Sequence, residues 1–321
     1  MESKGLFIGI VKLDGQLDAS CISYKETIYT SKSGKHVERF IHHGISYIYK
    51  PCTAAAARIE RWAQQYLIPS IEGVKVPYLL ASGGTEDPKL DWIIYEDLGP
   101  LIHCNNPDDI IRAAEIIPSW HRLPTDWVPR SMIGHSPSYT EVLKAISREQ
   151  ANVNGILAAN GISPSDISSW WTQLPNWEQF IQDHQRVSHG DYYPLNIAFR
   201  AQESIVLDWE FVHVNSVYWD LYSLMDITSH RYPRIPLSHV EREAALLQYW
   251  TSMGSVTPTE PDNDFIRGYY AFASVYSVWI LTLIELDLRQ TVFIDSLRRQ
   301  QEETLMVFQQ CMRGLNIMLT K

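Results

Sequence analysis

Ser188-His-Gly-Asp-Tyr-Tyr-Pro-Leu-Asn-Ile-Ala-Phe-Arg-Ala-Gln-Glu-Ser-Ile-Val-Leu-Asp-Trp-Glu210 is the stretch that decides how the rest of the sequence is interpreted. Within it a carboxylate, Asp191, follows a glycine, and an amide, Asn196, comes five residues later. A second carboxylate, Asp208, ends the apolar run Ile205 to Leu207, which has the composition of a β-strand. Three oxygen-bearing side chains therefore stand at fixed intervals around a predicted strand.

These three side chains have the chemistry that phosphoryl transfer requires. Transfer from a nucleotide needs a carboxylate that accepts a hydroxyl proton and oxygen ligands for the Mg²⁺ that bridges the phosphates. Asp191 is the candidate for the first task, and Asn196 with Asp208 for the second. A metallohydrolase stays open on the residues alone, although it leaves Asn196 without a role. Its ligands would be His189, Asp191, Asp208 and His213.

The motif resembles the catalytic signature of the aminoglycoside phosphotransferase family and its choline-kinase-like relatives, which share the protein-kinase fold. His189-Gly-Asp stands in place of the His-Arg-Asp of protein kinases, and Asp208-Trp-Glu in place of Asp-Phe-Gly. The resemblance implies an O-phosphotransferase that uses ATP or GTP, with Asp191 as base and Mg²⁺ on Asn196 and Asp208. It also implies that His189 orders the catalytic loop and that Asp220 braces it.

The same resemblance implies an α+β, two-lobed protein-kinase-like fold, with an N-terminal antiparallel sheet lobe containing one helix and a larger, mainly helical C-terminal lobe. The first hundred residues show a matching order of strand, strand, strand, helix, strand, strand. The strands are expected at 22–30, 37–41, 45–50, 76–81 and from 91, and the helix at about 53–66. We therefore expect a nucleotide-binding lobe at residues 1–98 and a catalytic and substrate-binding lobe at residues 99–321.

The family resemblance implies nucleotide contacts in the N-terminal lobe. Lys50 ends the third strand, where the family carries the lysine that grips the phosphates, and Glu60 on the following helix would hold that lysine. Glu96 and Leu98 lie in the segment expected to link the lobes, where backbone groups would bind the nucleotide base. Because backbone recognition leaves little side-chain signature, ATP and GTP both remain open.

The hairpin expected to cover the phosphates departs from the protein-kinase pattern. Residues 30–37 contain one glycine, Gly34, instead of Gly-x-Gly-x-x-Gly. Ser33 and backbone amides near Gly34 are the candidates for holding phosphate there.

The acceptor side is the part of the site that the sequence determines least. Residues 131–183 are largely helical and rich in aromatic residues, and Trp170 is a candidate acceptor contact, although a row of tryptophans is more often core. Glu260, Asp262 and Asp264 lie in a proline-containing turn before a predicted helix. They are candidates for contacting a positively charged acceptor.

Composition favours a soluble cytoplasmic protein. The hydrophobic fraction is 45%, the charged fraction is 20%, and four scattered cysteines form no Cys-x-x-Cys pair. The first twelve residues lack the apolar core of a secretory signal. Tyr269 to Ile284 is uncharged but shorter than the about 20 residues of a membrane span, so it is expected to be a buried helix. We expect no membrane partner and a monomer or homodimer.

The formal net charge of −10 is unevenly distributed, with −1 in residues 1–100 and −9 in residues 101–321. Nucleic acid is therefore not expected as a partner. An acidic, aromatic-rich lobe favours a cationic small-molecule acceptor, such as an amine-bearing antibiotic or natural product, although the excess charge could simply keep the surface soluble. A non-catalytic binding protein with the kinase fold is a further alternative, but no motif residue is missing.

Overall fold

The computed structural model describes residue 7 and residues 9–31, 34–134, 137–254, 263–289 and 293–317. Two compact units can be distinguished, Met1–His103 with Asn196–Val212, and Cys104–Leu195 with His213–Lys321. The predicted domain boundary between residues 98 and 99 stays a prediction, because compactness does not show that a unit folds on its own.

The described chain forms eleven strands and ten α-helices. The strands are β1 (Tyr24–Thr30), β2 (His36–His42), β3 (Ile45–Thr53), β4 (Val74–Lys75), β5 (Leu79–Gly84), β6 (Leu90–Glu96), β7 (Ile102–His103), β8 (Gln185–Ser188), β9 (Ile197–Arg200), β10 (Glu203–Val206) and β11 (His213–Ser216). The helices are α1 (Ala54–Trp62), α2 (Pro107–Ile116), α3 (Pro118–His121), α4 (Tyr139–Arg148), α5 (Gln150–Ala159), α6 (Pro164–Asp183), α7 (Tyr218–Met225), α8 (His239–Ser252), α9 (Asn263–Leu288) and α10 (Ile294–Gly314).

The first unit contains a five-stranded antiparallel sheet with the order β1-β2-β3-β6-β5. Side chains alternate between the two faces of a strand, so Tyr47 and Tyr49 of β3 lie on one face and Lys50 on the other. The tyrosine face is covered by a cluster that includes Phe7, Ile10 and Leu17. The opposite face packs against α1, and Lys50 therefore lies on the same side of the sheet as that helix.

Helix α1 begins where the sequence predicts. The hydroxyl of Thr53 accepts a hydrogen bond from the backbone N–H of Ala56 at 3.1 Å, which satisfies one of the free amides of the first turn. The helix continues as a π-helical turn at Ala63–Leu67, so the predicted helix at about 53–66 is confirmed. Ala57 and Glu60 lie on its buried face.

The strand expected at 76–81 is shifted in the structure. Val74–Lys75 pairs in parallel with β10, whereas Leu79–Gly84 pairs with β6 in the other sheet. Pro77 lies between the two segments and has no backbone N–H to donate to a ladder, so a single strand does not run through it.

The first unit contains a second sheet with the order β4-β10-β9-β7. Its strands β9 and β10 belong to the second half of the stretch 188–210. Strands β9 and β10 form an antiparallel hairpin in which Ile197 faces Val206. The N–H of Leu207 donates to the carbonyl oxygen of Asn196 at 2.8 Å and extends this pairing by one step. Asn196 and Asp208 are therefore held at the same end of one hairpin.

The second unit is mainly helical, and α9 is its central buried helix. This 26-residue helix has fifteen buried residues, among them Tyr269, Phe272 and Tyr276. It is long and apolar enough to cross a membrane by length and composition, with a mean hydropathy of 1.5, yet 56% of that window is buried within the protein. The prediction of a buried helix between Tyr269 and Ile284 is confirmed, as is the α+β class with an N-terminal antiparallel sheet.

Candidate active site

Lys50 is the centre of a charged cluster in the first unit. Its Nζ donates to Oδ1 of Asp208 at 2.5 Å and lies 2.9 Å from Oε2 of Glu210. Burial would lower the pKa of Lys50, but the charges of Asp208, Glu210 and Glu60 outweigh it and hold the pKa above its usual value. The lysine is therefore a permanent cation beside the carboxylate that ends the motif, although 158 residues separate them in sequence.

Glu60 lies on α1 with 1% of its surface exposed. Burial raises the pKa of Glu60 to about 8, with Asp208 and Glu210 adding to the rise and Lys50 opposing it. Within the described ranges, the ion pairs of Lys50 within 4 Å are those with Asp208 and Glu210. The structure thus brings Glu60 into the electrostatic surroundings of Lys50, and its role as the residue that holds the lysine stays a prediction.

Glu210 is the residue of this cluster to which the sequence assigned no role. It is the last residue of the quoted stretch, two positions after Asp208. Burial raises the pKa of Glu210, and the neighbouring charge of Asp208 adds to the rise, while Lys50 opposes it. The spacing of two was the available signal, because residues two apart in an extended segment point to the same side.

The hairpin end that carries Asn196 and Asp208 fits a magnesium ion by its donor chemistry. Amide and carboxylate oxygens are the ligands that Mg²⁺ prefers, and the carboxylates of Asp208 and Glu210 lie together at Lys50. Oε2 of Glu60 is a buried oxygen without a hydrogen-bond partner in the part of the chain that is described. Asp208 also has a φ of +68°, a strained conformation for a residue with a Cβ, of the kind found at functional sites.

A metallohydrolase would need a group of side chains that together bind the metal ion. In the described ranges, no group of three or more His, Cys, Asp or Glu side chains is arranged to hold a metal ion. His213 is buried, and its Nε2 lies 2.9 Å from the amide nitrogen of Asn215. A Mg²⁺ ion that is shared with nucleotide phosphates keeps only one or two carboxylate ligands from the protein, so the Asn196 and Asp208 pair does not meet the same objection.

In the second unit, Asp220 holds the start of the catalytic loop. This carboxylate is completely buried, and burial alone would raise its pKa, but hydrogen bonds and electrostatic interactions with His121 and His189 hold the pKa well below its usual range. Its oxygens accept hydrogen bonds from Ser188 Oγ (2.7 Å), Trp120 Nε1 (2.8 Å), His189 N (2.9 Å), His121 Nε2 (3.2 Å) and Gly190 N (3.2 Å). Asp220 therefore acts as the expected brace.

His189 and Asp191 are joined by a local hydrogen bond. The backbone N–H of Asp191 donates to Nδ1 of the completely buried His189 at 3.3 Å. Gly190 between them has a φ of +87°, and its carbonyl accepts from the indole N–H of Trp219 at 2.9 Å. The half-buried Asp191 is thus fixed through its backbone.

Asp220→Ala is expected to lower the free energy of unfolding by about 3–5 kcal/mol, because five buried donors lose their acceptor at once. Urea unfolding followed by tryptophan fluorescence measures this change. Asp126→Ala, which removes an exposed carboxylate, is the control and should change stability by about 0.5 kcal/mol or less. Equal unfolding midpoints for Asp220→Ala and the wild type would show that the loop does not depend on this brace.

The other residues predicted to contact the nucleotide, Gly34 and Leu98, lie in the first unit and make backbone hydrogen bonds. Gly34 has a φ of +76°, and its N–H donates to the carbonyl of Ser31 at 3.1 Å, as expected for a tight turn between β1 and β2. Ser33 lies outside the described residues. The carbonyl of Leu98 accepts from Nη1 of Arg200 at 2.8 Å.

Glu96, at the end of β6, uses its side chain locally. Its Oε1 accepts from the backbone N–H of Tyr78 at 3.0 Å and lies 2.9 Å from Nζ of Lys75. The side chain therefore stabilises the end of the sheet. A contact between the nucleotide base and the backbone of Glu96 or Leu98 stays a prediction.

The residues predicted to contact the acceptor differ in burial and in whether the structure describes them. Glu260 and Asp262 lie outside the described residues, and Asp264 is exposed in the first turn of α9. Trp170 is completely buried, its indole N–H donates to Ser274 Oγ at 2.9 Å, and its ring packs edge-on against Phe308. An acceptor contact by Trp170 stays a prediction that this burial does not support.

Comparison with known proteins identifies the family and the fold of this chain. The model of a family described as the phosphotransferase enzyme family matches residues 39–255. A search of curated protein sequences found no match.

Several solved structures share the fold at low sequence identity. Macrolide 2′-phosphotransferase MphH from Brachybacterium faecium is 17% identical, with a TM-score of 0.54 over 89% of this chain and 93% of that one. Spectinomycin phosphotransferase, solved with ADP and spectinomycin, is 12% identical, with a TM-score of 0.56 over 90% and 94%. A microcompartment-associated aminopropanol kinase is 13% identical, with a TM-score of 0.61 over 91% and 92%. These likenesses confirm the predicted kinase-like fold.

Proposed function

Because the chain belongs to the phosphotransferase enzyme family and is a small-molecule phosphotransferase, we propose that its donor is ATP or GTP and its acceptor a hydroxyl group of a small molecule. The observation that carries this proposal is the partly buried contact between Lys50 and Asp208. It joins a lysine that can neutralise phosphate charge to a carboxylate that can hold a metal, and phosphoryl transfer uses both.

The charged cluster of the first unit would bind the nucleotide phosphates. The permanent charge of Lys50 attracts them, and the carboxylates of Asp208 and Glu210 keep the lysine charged when the site holds no nucleotide. Asn196 and Asp208 are the residues that would hold Mg²⁺, which when bound neutralises the negative charge of the phosphates. Burial, together with the charges of Asp208 and Glu210, raises the pKa of Glu60 in this cluster to about 8.

Asp191 would accept the proton of the acceptor hydroxyl. A residue with this task must be accessible, charged and fixed in orientation. Asp191 is half-buried, and its backbone is held by His189, whose neighbouring peptide groups bind to Asp220. Since phosphoryl transfer depends mainly on positioning and electrostatics, this fixed orientation is the contribution that we assign to His189.

The identity of the acceptor does not follow from the fold. Relatives with the same fold carry names that refer to a macrolide, spectinomycin and aminopropanol, which differ in size and charge. The net charge of −9 in residues 101–321 is the sole support for a cationic antibiotic or natural product. A cytoplasmic location and a monomeric or homodimeric state also belong to the proposal.

Lys50→Ala tests the donor site and is expected to weaken Mg²⁺-dependent binding of ATP or GTP by about 10- to 100-fold, because a charged phosphate contact is lost. Isothermal titration with each nucleotide, with and without Mg²⁺, measures the affinity. Lys89→Ala removes an exposed lysine of the same unit and should bind as the wild type does. Circular dichroism shows whether each variant is folded.

Unchanged nucleotide affinity in folded Lys50→Ala would contradict the proposed donor site, and a hydrolase would be indifferent to this substitution. Turnover is then followed as ADP or GDP release in a screen of cationic, neutral and anionic hydroxyl compounds. Mass spectrometry of the products detects the added phosphate.

A further inference from the structure

A loop in the second unit, residues 226–237, is fastened to α10 by side-chain hydrogen bonds. Arg299 Nη2 donates to the carbonyl of His230 at 2.8 Å, and Gln300 Nε2 donates to that of Thr228 at 3.1 Å. The backbone N–H of Arg234 in turn donates to Oε2 of Glu303 at 3.3 Å. Loop and helix therefore form one fixed surface, and we call Arg234, Arg299 and Glu303 the arginine cluster.

Tyr193, in the catalytic loop, lies within electrostatic reach of the arginine cluster. It lies two residues after Asp191, and its backbone N–H donates to the carbonyl of Asp191 at 2.8 Å. Burial raises the pKa of Tyr193 to about 12, with Glu303, Tyr232 and Asp191 adding to the rise and Arg299 opposing it. The half-buried hydroxyl of Tyr193 therefore lies within electrostatic reach of both the candidate base and the cluster.

The charge of Arg234 is not matched by the carboxylate that it touches. Arg234 Nη1 lies 3.2 Å from Oδ1 of Asp226. Asp226 is already paired with the buried Arg242, which donates to it through Nε at 2.9 Å and Nη2 at 2.8 Å, and it accepts from the hydroxyl of Tyr269 at 2.6 Å. The charge of Asp226 is thus matched by Arg242, which leaves Arg234 in surplus.

Two buried donors of the cluster lack a partner. The Nε atoms of Arg234 and Arg299 are both buried and have no hydrogen-bond partner within the described ranges, and the side chain of Arg234 is 5% exposed. Arg299 Nε lies 3.7 Å from Oε1 of Glu303, which is an ion pair without hydrogen-bond contact. An unpaired buried N–H of a guanidinium is costly, so a group that accepts hydrogen bonds at these atoms would be stabilised.

The cluster as a whole is positive, since two arginines face one glutamate. Guanidinium groups bind carboxylate and phosphate oxygens in preference to neutral groups, because the planar fork of donors matches the oxyanion. The charge of this cluster therefore differs in sign from the average of the second unit.

We propose that the arginine cluster binds a carboxylate or phosphate group that the acceptor carries close to the hydroxyl that receives the phosphoryl group. This assignment rests on the proposed phosphotransfer and gives it a substrate class, namely small hydroxy compounds with an oxyanion. It replaces the cationic acceptor favoured by bulk charge. Because Tyr193 is bound to the backbone of Asp191 and lies within electrostatic reach of the cluster, an oxyanion on the cluster would orient the hydroxyl toward Asp191.

Thermal unfolding with inorganic phosphate or acetate tests the cluster directly. The protein is first saturated with Mg²⁺ and a non-hydrolysable ATP or GTP analogue, and the chloride control is matched in ionic strength. We expect phosphate or acetate to raise the Tm of the wild type by about 2 °C or more. Arg299→Gln should lose this rise, whereas Arg298→Gln, which changes the exposed neighbouring arginine of α10, should keep it.

Each outcome decides the assignment. No rise in the wild type, or an equal rise in Arg299→Gln, would overturn it. Each variant is compared with its own Tm without anion, so a general loss of stability does not imitate the result. Arg234→Lys provides a second variant that keeps the charge but loses Nε, and it should bind the anion more weakly than the wild type. The anion titration is also carried out without nucleotide. If nucleotide binding fails, the proposed function is contradicted, and the anion titration still shows whether the cluster binds an oxyanion.

Matched acceptor pairs test the substrate class. The pairs are serine and ethanolamine, homoserine and 3-amino-1-propanol, and glycerate and glycerol. The first member of each pair carries a carboxylate that the second lacks, and both carry a primary hydroxyl. We expect the oxyanion member of a pair to have a kcat/KM at least about tenfold higher, and Arg299→Gln to raise its KM by about 10- to 100-fold with a smaller change in kcat. Equal turnover within the pairs, or preference for the amine, would refute the assignment even if phosphate transfer itself is observed.

Discussion

Asp191→Asn is expected to lower kcat by about 10²- to 10⁴-fold, because the amide cannot accept the proton of the acceptor hydroxyl. The side chain keeps its size, and the hydrogen bond to His189 is made by the backbone N–H, so the loop should keep its conformation. Nucleotide affinity should change little, because Asp191 is not among the residues proposed to bind the nucleotide. Steady-state kinetics with the best acceptor of the screen measures kcat and KM.

Two controls separate a chemical loss from a structural one. Asp126→Asn changes an exposed carboxylate of the same unit and should leave kcat unchanged. The unfolding temperature of Asp191→Asn should stay close to that of the wild type. If purified Asp191→Asn turned over at the wild-type rate, Asp191 could not be the base.

The sequence predicted those parts of the fold that local pattern determines. The alternating pattern predicted a strand from Ile45 that ends at Lys50; the strand is present, but it continues to Thr53, where the next helix begins. Asp220 was identified as a brace, and it binds the backbone of the catalytic loop. These features depend on neighbours in sequence or on a motif of fixed spacing, so they can be read without coordinates.

The partner of Lys50 could not be predicted in the same way. Glu60 was expected to hold it, yet the contacts within 4 Å are with Asp208 and Glu210. Those residues are far away in sequence, and which of three carboxylates comes nearest depends on the packing of a hairpin beside a sheet. Pattern and motif give the members of such a cluster, and tertiary packing decides their distances.

The arginine cluster shows the same limit for charge. Summed over residues 101–321 the charge is −9, which favoured a cationic acceptor. Arg234 and Arg299 are 65 positions apart and come together through hydrogen bonds between a loop and a helix. A sum over a domain weights every carboxylate equally, whereas a ligand responds to the charges within about one Debye length, about 8–10 Å.

Asp208→Ala is expected to abolish transfer to a similar degree, by about 10³-fold, through loss of the metal rather than of the base. Removal of this carboxylate takes away one of the two proposed Mg²⁺ ligands and the nearest partner of Lys50. The lysine keeps its ion pair with Glu210, so the variant should remain folded. The measurements are turnover and nucleotide affinity at increasing Mg²⁺ concentration.

The dependence on Mg²⁺ distinguishes this loss from that of Asp191→Asn. Asp208→Ala should require a much higher Mg²⁺ concentration for half-maximal nucleotide binding, and Asp208→Asn, which keeps one oxygen donor, should lie between it and the wild type. Asp191→Asn should show the wild-type requirement at a reduced kcat. Glu86→Ala, an exposed carboxylate of the same unit, is the control. A wild-type Mg²⁺ requirement in folded Asp208→Ala would contradict the assignment of Asp208 as a metal ligand, because a side chain that holds the ion cannot be removed without weakening its binding.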